Sequence, residues 1–381
     1  MTPPGDPRRI VADGYDRIAE RYLDWTEREV DDQVRPRYLL LLLEQVPRGA
    51  RVLDLGCGGG GPTTAQLAER FDLTGVDLSA RQIALSRQRL PHATFIHADM
   101  TRIAFPPASF DAITSFYAFL HLPAGELPGL IERIATWLRP GGPLVATMAG
   151  GSHSSSVEPD FLGVPMYFSG YPVERQRLFL KRAGLDIISL QPEQILEDGR
   201  PVRFLWTVAK KPVGRLRGGV ILIEDDRVAL IERVRSDAAG ERYYVFPGGG
   251  AEPGETPAQA AERETREELG LDVRVDHLLA IVRRREGRQF FFAATTSGGT
   301  FGTGHGLELT RDPAERGTYH PVWLPLQALR DHDVRPTALA PSSPPASLPT
   351  IPQPSKSTIP SGGVRPPENR VISSHPAGIP R

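Results

Sequence analysis

Gly249-Gly-Ala-Glu-Pro-Gly-Glu-Thr-Pro-Ala-Gln-Ala-Ala-Glu-Arg-Glu-Thr-Arg-Glu-Glu-Leu-Gly-Leu271 is the stretch that ordinary folding preferences explain least. Thr256 is a good N-cap, Pro257 suits the first helical position, and Gln259 completes a capping box. Gly270 supplies the stop, so a helix is predicted over roughly Pro257 to Leu269. At about 100° per residue, Ala258, Ala261, Thr265 and Leu269 share one small or apolar face, and Glu264, Glu267 and Glu268 fall on a neighbouring one. Two of these glutamates lie in the last turn, where the helix dipole disfavours negative charge by roughly 0.3–1 kcal/mol each. Spacings of three and four also set like charges against each other. A cation is therefore expected on that face. Carboxylate oxygens at this spacing suit Mg²⁺ or Mn²⁺, which would also hold substrate phosphate oxygens. The competing reading is a charged, solvated surface helix.

The positions Gly249, Glu255, Arg263, Glu264, Glu267, Glu268, Gly270 and Leu271 resemble the Nudix box, Gly-x5-Glu-x7-Arg-Glu-U-x-Glu-Glu-x-Gly-U, where U is bulky and aliphatic. Thr265, at the first U, is the one departure. The resemblance implies a mixed-sheet α/β/α sandwich that hydrolyses a nucleoside diphosphate linked to another moiety, using metal-activated water. It implies Glu267 and Glu268 as metal ligands, Glu264 as a further ligand or the general base, and the Gly248 carbonyl as a backbone ligand. Arg263 would orient the glutamates and Glu255 would tie the loop to the helix. Glu308 is an extra ligand or base, or else a solvated loop acid. Tyr243, Tyr244 and Phe246 either stack a base or pack the core.

Composition sets the frame for both halves. The chain has 381 residues, room for two or three domains. Its net charge of −1 gives no global pull toward nucleic acid or an anionic membrane. No apolar run approaches the length of a spanning helix, and the first residues lack a signal pattern, so a soluble cytoplasmic protein is expected. The single cysteine, Cys57, excludes an intrachain disulfide framework and is expected to be a small buried residue.

Three zones separate on pattern. Residues 1–211 alternate short aliphatic runs with helical segments, as an α/β domain with a parallel sheet does. Lys210-Lys-Pro-Val-Gly214 reads as a junction, and residues 214–335 carry strands around the acidic box. From 336 to 381 the chain is Pro- and Ser-rich, and it is expected to be a disordered tail.

In the first zone, Arg51-Val-Leu-Asp-Leu55 reads as a buried strand running into Gly56-Cys-Gly-Gly-Gly-Gly61, and Leu73-Thr-Gly-Val-Asp77 as a second strand ending in an acid. Glycines there let a ligand approach the backbone, and the acid is placed to accept from ribose hydroxyls. These two features alone fit a dinucleotide or S-adenosylmethionine. The words around them resemble the class I S-adenosylmethionine-dependent methyltransferases: Val52-Leu-Asp-Leu-Gly-Cys-Gly-Gly-Gly60, Gly75-Val-Asp-Leu-Ser79, His97-Ala-Asp-Met100, Ser109-Phe-Asp-Ala-Ile-Thr-Ser115 and Leu138-Arg-Pro-Gly-Gly142, in order. The wording is nearest the small-molecule group that includes quinone-biosynthesis enzymes.

That resemblance implies a Rossmann-like sheet with flanking helices. It places Gly56, Gly58 and Gly60 along the methionine part of the cofactor, Asp77 on the ribose, and Asp99 with Met100 at the adenine edge. Asp54 would support the loop or reach the amine through water. His121 is a candidate general base or a structural histidine, and Tyr15 and Tyr22 either lid the cofactor or pack. Residues 150–171 are a substrate lid or a connecting loop. The sequence thus predicts a fusion of a methyltransferase acting on a small molecule with a hydrolase acting on a nucleotide or other diphosphate. The alternative is a nucleotide sensor that binds without cleaving. Neither substrate, nor the oligomeric state, is written in the sequence.

Overall fold

The computed structural model describes residues 5–150, 154–236, 241–284, 287–306 and 317–339. Glu308 and residues 340–381 lie outside the described residues. The chain opens with helix α1 (Pro7–Arg28), the short strand β1 (Val30–Asp31) and helix α2 (Arg35–Gln45). Strand and helix then alternate through β2 (Arg51–Leu55), α3 (Pro62–Arg70), β3 (Asp72–Asp77), α4 (Ala80–Arg89) and β4 (Thr94–His97). Next come β5 (Ala112–Ser115), α5 (Leu127–Trp137) and β6 (Pro143–Ala149). A hairpin of β7 (Ser154–Phe161) and β8 (Val164–Gly170) precedes α6 (Val173–Arg182), β9 (Asp186–Glu197) and β10 (Arg200–Lys210).

These strands form one sheet in the order β1-β9-β10-β6-β5-β2-β3-β4. The β6-β5-β2-β3-β4 run is parallel, and β10 is antiparallel to both β6 and β9. The parallel strands are covered on both faces, so β5 is buried throughout and β2 from Val52 onward. The chain winds from β2 outward to β4, then returns to β5 on the other side of β2. Crossovers diverge at the C-terminal end of β2, which opens a crevice there. The Gly56–Gly61 loop occupies that crevice.

After Lys211 come β11 (Arg215–Ile221), β12 (Ile223–Glu224), β13 (Arg227–Val234), β14 (Arg242–Val245) and β15 (Gly248–Gly250). They are followed by α7 (Pro257–Leu269), β16 (Leu271–Arg284), β17 (Gly287–Gly299), β18 (Thr318–Pro325) and β19 (Val334–Arg335). One sheet is mixed, in the order β15-β11-β17-β16 with β11 and β17 parallel. The second runs β12-β13-β14-β19, with β18 also on β13. Helix α7 packs on the first sheet through Ala258, Ala261 and Leu269 against Val220, Phe290 and Phe292. The approach is close: a Cβ at Gly218 would meet the Pro257 carbonyl oxygen at 1.9 Å.

Helix α7 spans the range its caps predict, and both halves of its capping box are made. Thr265 is fully buried and donates its hydroxyl to the Ala261 carbonyl at 2.7 Å, which satisfies the polar atom that the motif's aliphatic residue would not carry. The ordered chain also runs past the expected boundary at 335. Thr337–Leu339 forms a 3₁₀ turn, and Leu339 packs against the cluster of Tyr244, Phe246 and Phe291.

The buried clusters of the large sheet draw on residues up to Ala209, and those of the two smaller sheets on residues after Lys211. The two halves nevertheless touch. Arg182 donates to the Glu132 carboxylate and to the Val275 carbonyl, each at 3.0 Å, and Arg288 pairs with Asp186. Gly184, at φ +81°, faces Pro257 and Leu216.

Candidate active sites

The first site is built where β2, β3 and β5 end. Gly56 and Gly58 turn the loop with φ of +78° and +59°, a region that favours glycine. A Cβ at Gly58 would meet nothing within 4 Å, so this backbone lies open to the cleft. At Gly56 a Cβ would fall 2.2 Å from that of Ala118. Gly60 is placed differently, facing Ser86 and Leu90, and it packs the loop onto α4 rather than lining the cleft. Asp77 accepts the amides of Gly58 and Ser79, each at 2.9 Å, and so fixes loop and helix together. Ser79 caps α4 by accepting from the Gln82 amide, but its own amide goes to Asp77, so the capping box here is half made. Burial pushes the Asp77 carboxyl up, opposed by those amides.

Asp54 lies beneath the loop, 3% exposed, with Thr114 and Thr64 donating to it at 2.8 and 3.3 Å. These contacts fit the expected loop support. Burial moves its carboxyl up to about 6. Cys57 is buried and its thiol is pushed up by burial, as expected of a packing residue. Asp99 and Met100 both line the cleft. Asp99 caps its own turn through Thr101 and accepts from Arg8 Nε at 2.6 Å, while Arg8 also pairs with Glu126. Arg8 stands on the first turn of α1, so that helix is latched over the Asp99 side of the cleft by a contact no local pattern announces.

The cleft has an empty volume of about 670 Å³ and adjoins a second chamber of about 1270 Å³. Tyr15, Tyr22, Tyr117 and His121 line both. His121 ends a 3₁₀ turn, and its Nδ1 lies 2.8 Å from the Tyr167 carbonyl. A carbonyl only accepts, so Nδ1 carries the proton and the Nε2 lone pair takes the Tyr15 hydroxyl at 2.8 Å. Burial brings His121 down to about 4, which keeps the imidazole neutral.

The second chamber is walled by the rings of Trp25, Phe161, Phe168 and Phe204, with Arg35 and Glu197 among its charged groups. Burial pushes Glu197 up to about 7, with Asp198 and Asp32 adding to the shift. The β7–β8 hairpin supplies Phe161 and Phe168, so much of residues 150–171 is an ordered wall of this chamber. Tyr117 was not marked by its sequence. It holds φ at +58°, donates to Asp32 at 2.7 Å and carries the Arg35 guanidinium 4.7 Å from its ring centroid. A non-glycine residue held in that conformation beside a cleft is where backbone strain tends to be kept for function.

The second site lies on α7 and the β15 loop. Arg263 donates to both Glu255 oxygens at 2.8 and 3.0 Å, to Glu264 and Glu267 at 3.1 Å, and to the Gly250 carbonyl at 2.9 Å. The cation that the charge pattern demands is thus, in this arrangement, Arg263 itself. Glu268 faces the other way and accepts the Gly248 amide at 2.7 Å. Gly248 therefore meets the acidic helix through its N–H, and its carbonyl accepts from Arg217 at 3.4 Å. Glu264 packs flat on Gly249, where a Cβ would fall 1.9 Å from a carboxylate oxygen.

Among the described residues no three carboxylate, imidazole or thiol groups converge at metal-holding spacing. The four expected ligands lie on one helix turn and its facing loop without being gathered. Their chemistry still fits the ion, since Glu264, Glu267, Glu268 and the Gly248 carbonyl all offer hard oxygen donors. Tyr243 and Phe246 line a pocket beside Glu268, whereas Tyr244 packs in the core and donates to Glu232.

Comparison with known proteins finds a family match in each half of the chain. Residues 52–142 match the family model of a methyltransferase domain and residues 215–343 that of a NUDIX domain. The chain is a fusion of an S-adenosylmethionine-dependent methyltransferase domain with a NUDIX domain. Similar curated proteins include trans-aconitate 2-methyltransferase of Paracidovorax citrulli, 37% identical over 133 residues, which are 33% of this chain and 50% of that protein. Phosphoethanolamine N-methyltransferase 1 of Arabidopsis thaliana is 37% identical over 210 residues, 53% of this chain and 38% of that one. Demethylmenaquinone methyltransferase of Beutenbergia cavernae is 33% identical over 138 residues, 35% of this chain and 56% of that one. The chain thus spans about half the length of these relatives, or less. Their names give three different acceptors. Among the described residues no helix is long and apolar enough to cross a membrane.

Proposed function

We propose that the chain is a bifunctional enzyme, with residues 1–211 transferring a methyl group to a small molecule and residues 214 to about 339 hydrolysing a diphosphate substrate. The observation that carries the first activity is the shared wall of Tyr15, Tyr22, Tyr117 and His121 between the glycine-loop cleft and the ring-lined chamber. S-adenosylmethionine, when bound, supplies the methyl group. Gly58 leaves room for it, Asp77 keeps lone pairs for the ribose, and Asp99 with Met100 borders the adenine side. The chamber holds the acceptor and excludes water, so positioning does much of the work. For an acceptor that must shed a proton, Tyr15 passes it to His121 Nε2.

For the second activity, a divalent cation, when bound, activates water and offsets charge on the diphosphate. Glu264, Glu267 and Glu268 with the Gly248 carbonyl would hold it, and Arg263 would release Glu264 and Glu267 toward it while keeping Glu255. The test is incubation of the full chain with nucleoside diphosphate derivatives and Mg²⁺ or Mn²⁺. Metal-dependent release of a phosphate-containing product supports hydrolysis. Binding without turnover on every substrate would instead make this half a nucleotide sensor.

A further inference from the structure

A pocket of about 800 Å³ opens directly from the acidic motif, beginning at Gly248 and Glu268. Its floor is the parallel pair β11–β17, where Arg217 and Gln289 are register partners and share one face of the sheet. The hydrogen bonds from Arg217 to the Gly248 carbonyl and from the Gly248 amide to Glu268 link this floor to the helix that would carry the chemistry. Gln289 is 4% exposed, and its Oε1 has no hydrogen-bond partner among the described residues. A buried amide oxygen left so costs stability unless water or a ligand supplies a donor.

The wall beside it is flat. The Arg335 guanidinium lies 4.2 Å from the Tyr243 ring centroid, and that of Arg233 lies 4.2 Å from Tyr319 and 5.5 Å from Tyr243. Planar cations held on planar rings make a surface on which another planar, electron-rich ring stacks. A buried acceptor without a partner on a side chain that lines the pocket, a flat wall and a mouth at the acidic motif together describe a place for a ring carried on a diphosphate.

We propose that this pocket receives a nucleobase bearing an exocyclic amino group, and that Gln289 selects it by accepting a hydrogen bond from that amino group. Gln289 is then the specificity-determining residue of the NUDIX half, a role separate from those of the acidic motif. The proposal rests on the reading of this half as acting on diphosphates, and the test below separates the two. Cytidine and uridine nucleotides decide it best, because they differ at one exocyclic position, amino in one and carbonyl in the other. A site built to hydrogen-bond one group rejects an analogue that lacks it much more strongly than an apolar pocket rejects a change of size.

The experiment compares the full chain with its Gln289→Leu variant, using CTP and UTP with Mg²⁺ or Mn²⁺. Both hydrolysis and the shift of the NUDIX thermal transition are read. The parent is expected to favour CTP about tenfold or more, and the variant to bring the two within about threefold. Gln289→Glu, which keeps an acceptor at the same place, should retain the preference. Because Gln289→Leu removes an unsatisfied buried atom, its melting temperature should hold or rise; Gln289→Met serves if the branched side chain does not pack. Should neither nucleotide nor a wider panel be cleaved, the hydrolase reading fails, yet a CTP shift above that of UTP that Gln289→Leu abolishes would still uphold the pocket. A parent that treats CTP and UTP alike in both measurements, or a Gln289→Leu variant that keeps the parent's ranking, overturns the inference.

Discussion

At the scale of single residues, charge decides most of what can be tested. Asp54 ionises at about 3.9 in an unfolded chain and is raised to about 6 here by burial. Between those values the folded protein keeps a proton that the unfolded chain has lost. Stability therefore falls as pH rises through that window, and the whole penalty stands above it. Asp54→Asn keeps partners for Thr64 and Thr114 but carries no charge. It is expected to stabilise the methyltransferase half by roughly 2–3 kcal/mol at pH 7.5 and by almost nothing at pH 4. Thermal melts at the two pH values measure this, and an equal gain at both would remove ionisation as the cause. In the other half, Glu267→Gln and Glu268→Gln should each abolish most metal-dependent hydrolysis with little change in melting temperature. Glu267 is half-exposed, and Gln at 268 still accepts the Gly248 amide. Hydrolysis at the parent rate by either variant would unseat the acidic motif.

At the scale of elements, α7 was legible in the sequence to its last residue because every signal for it is local: cap, proline, periodicity and terminal glycine. The Gly56–Gly61 loop was legible for the same reason. What escaped the sequence depends on contacts between distant segments. Arg8 reaches Asp99 across 91 residues, Tyr117 is defined by Asp32 and Arg35, and Gln289 matters only because β11 and β17 pair. The sequence also could not tell Gly58 from Gly60, since only packing shows that Gly58 is open to the cleft while Gly60 lies against α4. Two tests belong at this scale. Gly249→Ala should leave the α7 half folded but displace Glu264, so hydrolysis should fall at least tenfold while nucleotide binding persists. Calorimetric titration alongside turnover would show it, and an unaltered rate would mean Glu264 need not lie flat on the loop. Asp77→Ala should remove the rise in melting temperature that S-adenosylmethionine gives the parent, because Asp77 lines the cleft, is proposed to hold the ribose, and ties the loop to α4. A shift of parental size in the variant would count against that placement.

At the scale of the whole molecule, the separate cores argue for two folding units, and the Arg182, Asp186 and Arg288 contacts argue that they are held in one orientation. The link from Lys211 to Arg215 is short, and Lys211 is itself tied down, donating to the Leu138 carbonyl at 2.8 Å. Limited proteolysis is expected to cut near residues 211–214 slowly in the parent. Arg288→Ala, which frees Asp186, should hasten that cut severalfold without changing the first half's response to S-adenosylmethionine. Equal cleavage rates would show that this pair does not hold the junction.

The position of β10 bears on how the chain is made. It is the last strand of the large sheet in sequence, yet it lies between β6 and β9, so β9 and β1 have no seat on the sheet until β10 arrives. On a ribosome, the first half therefore stays open along one side until Lys210 has left the exit tunnel, and then closes in a single step. The second half has a longer wait of its own, because β11 needs β17, which begins 72 residues later. Between those moments the nascent chain carries a finished first domain and a β11 that only β15 and α7 can meet. A pause in translation after Lys211 would then favour orderly folding, and one just before β17 would leave one edge of β11 open.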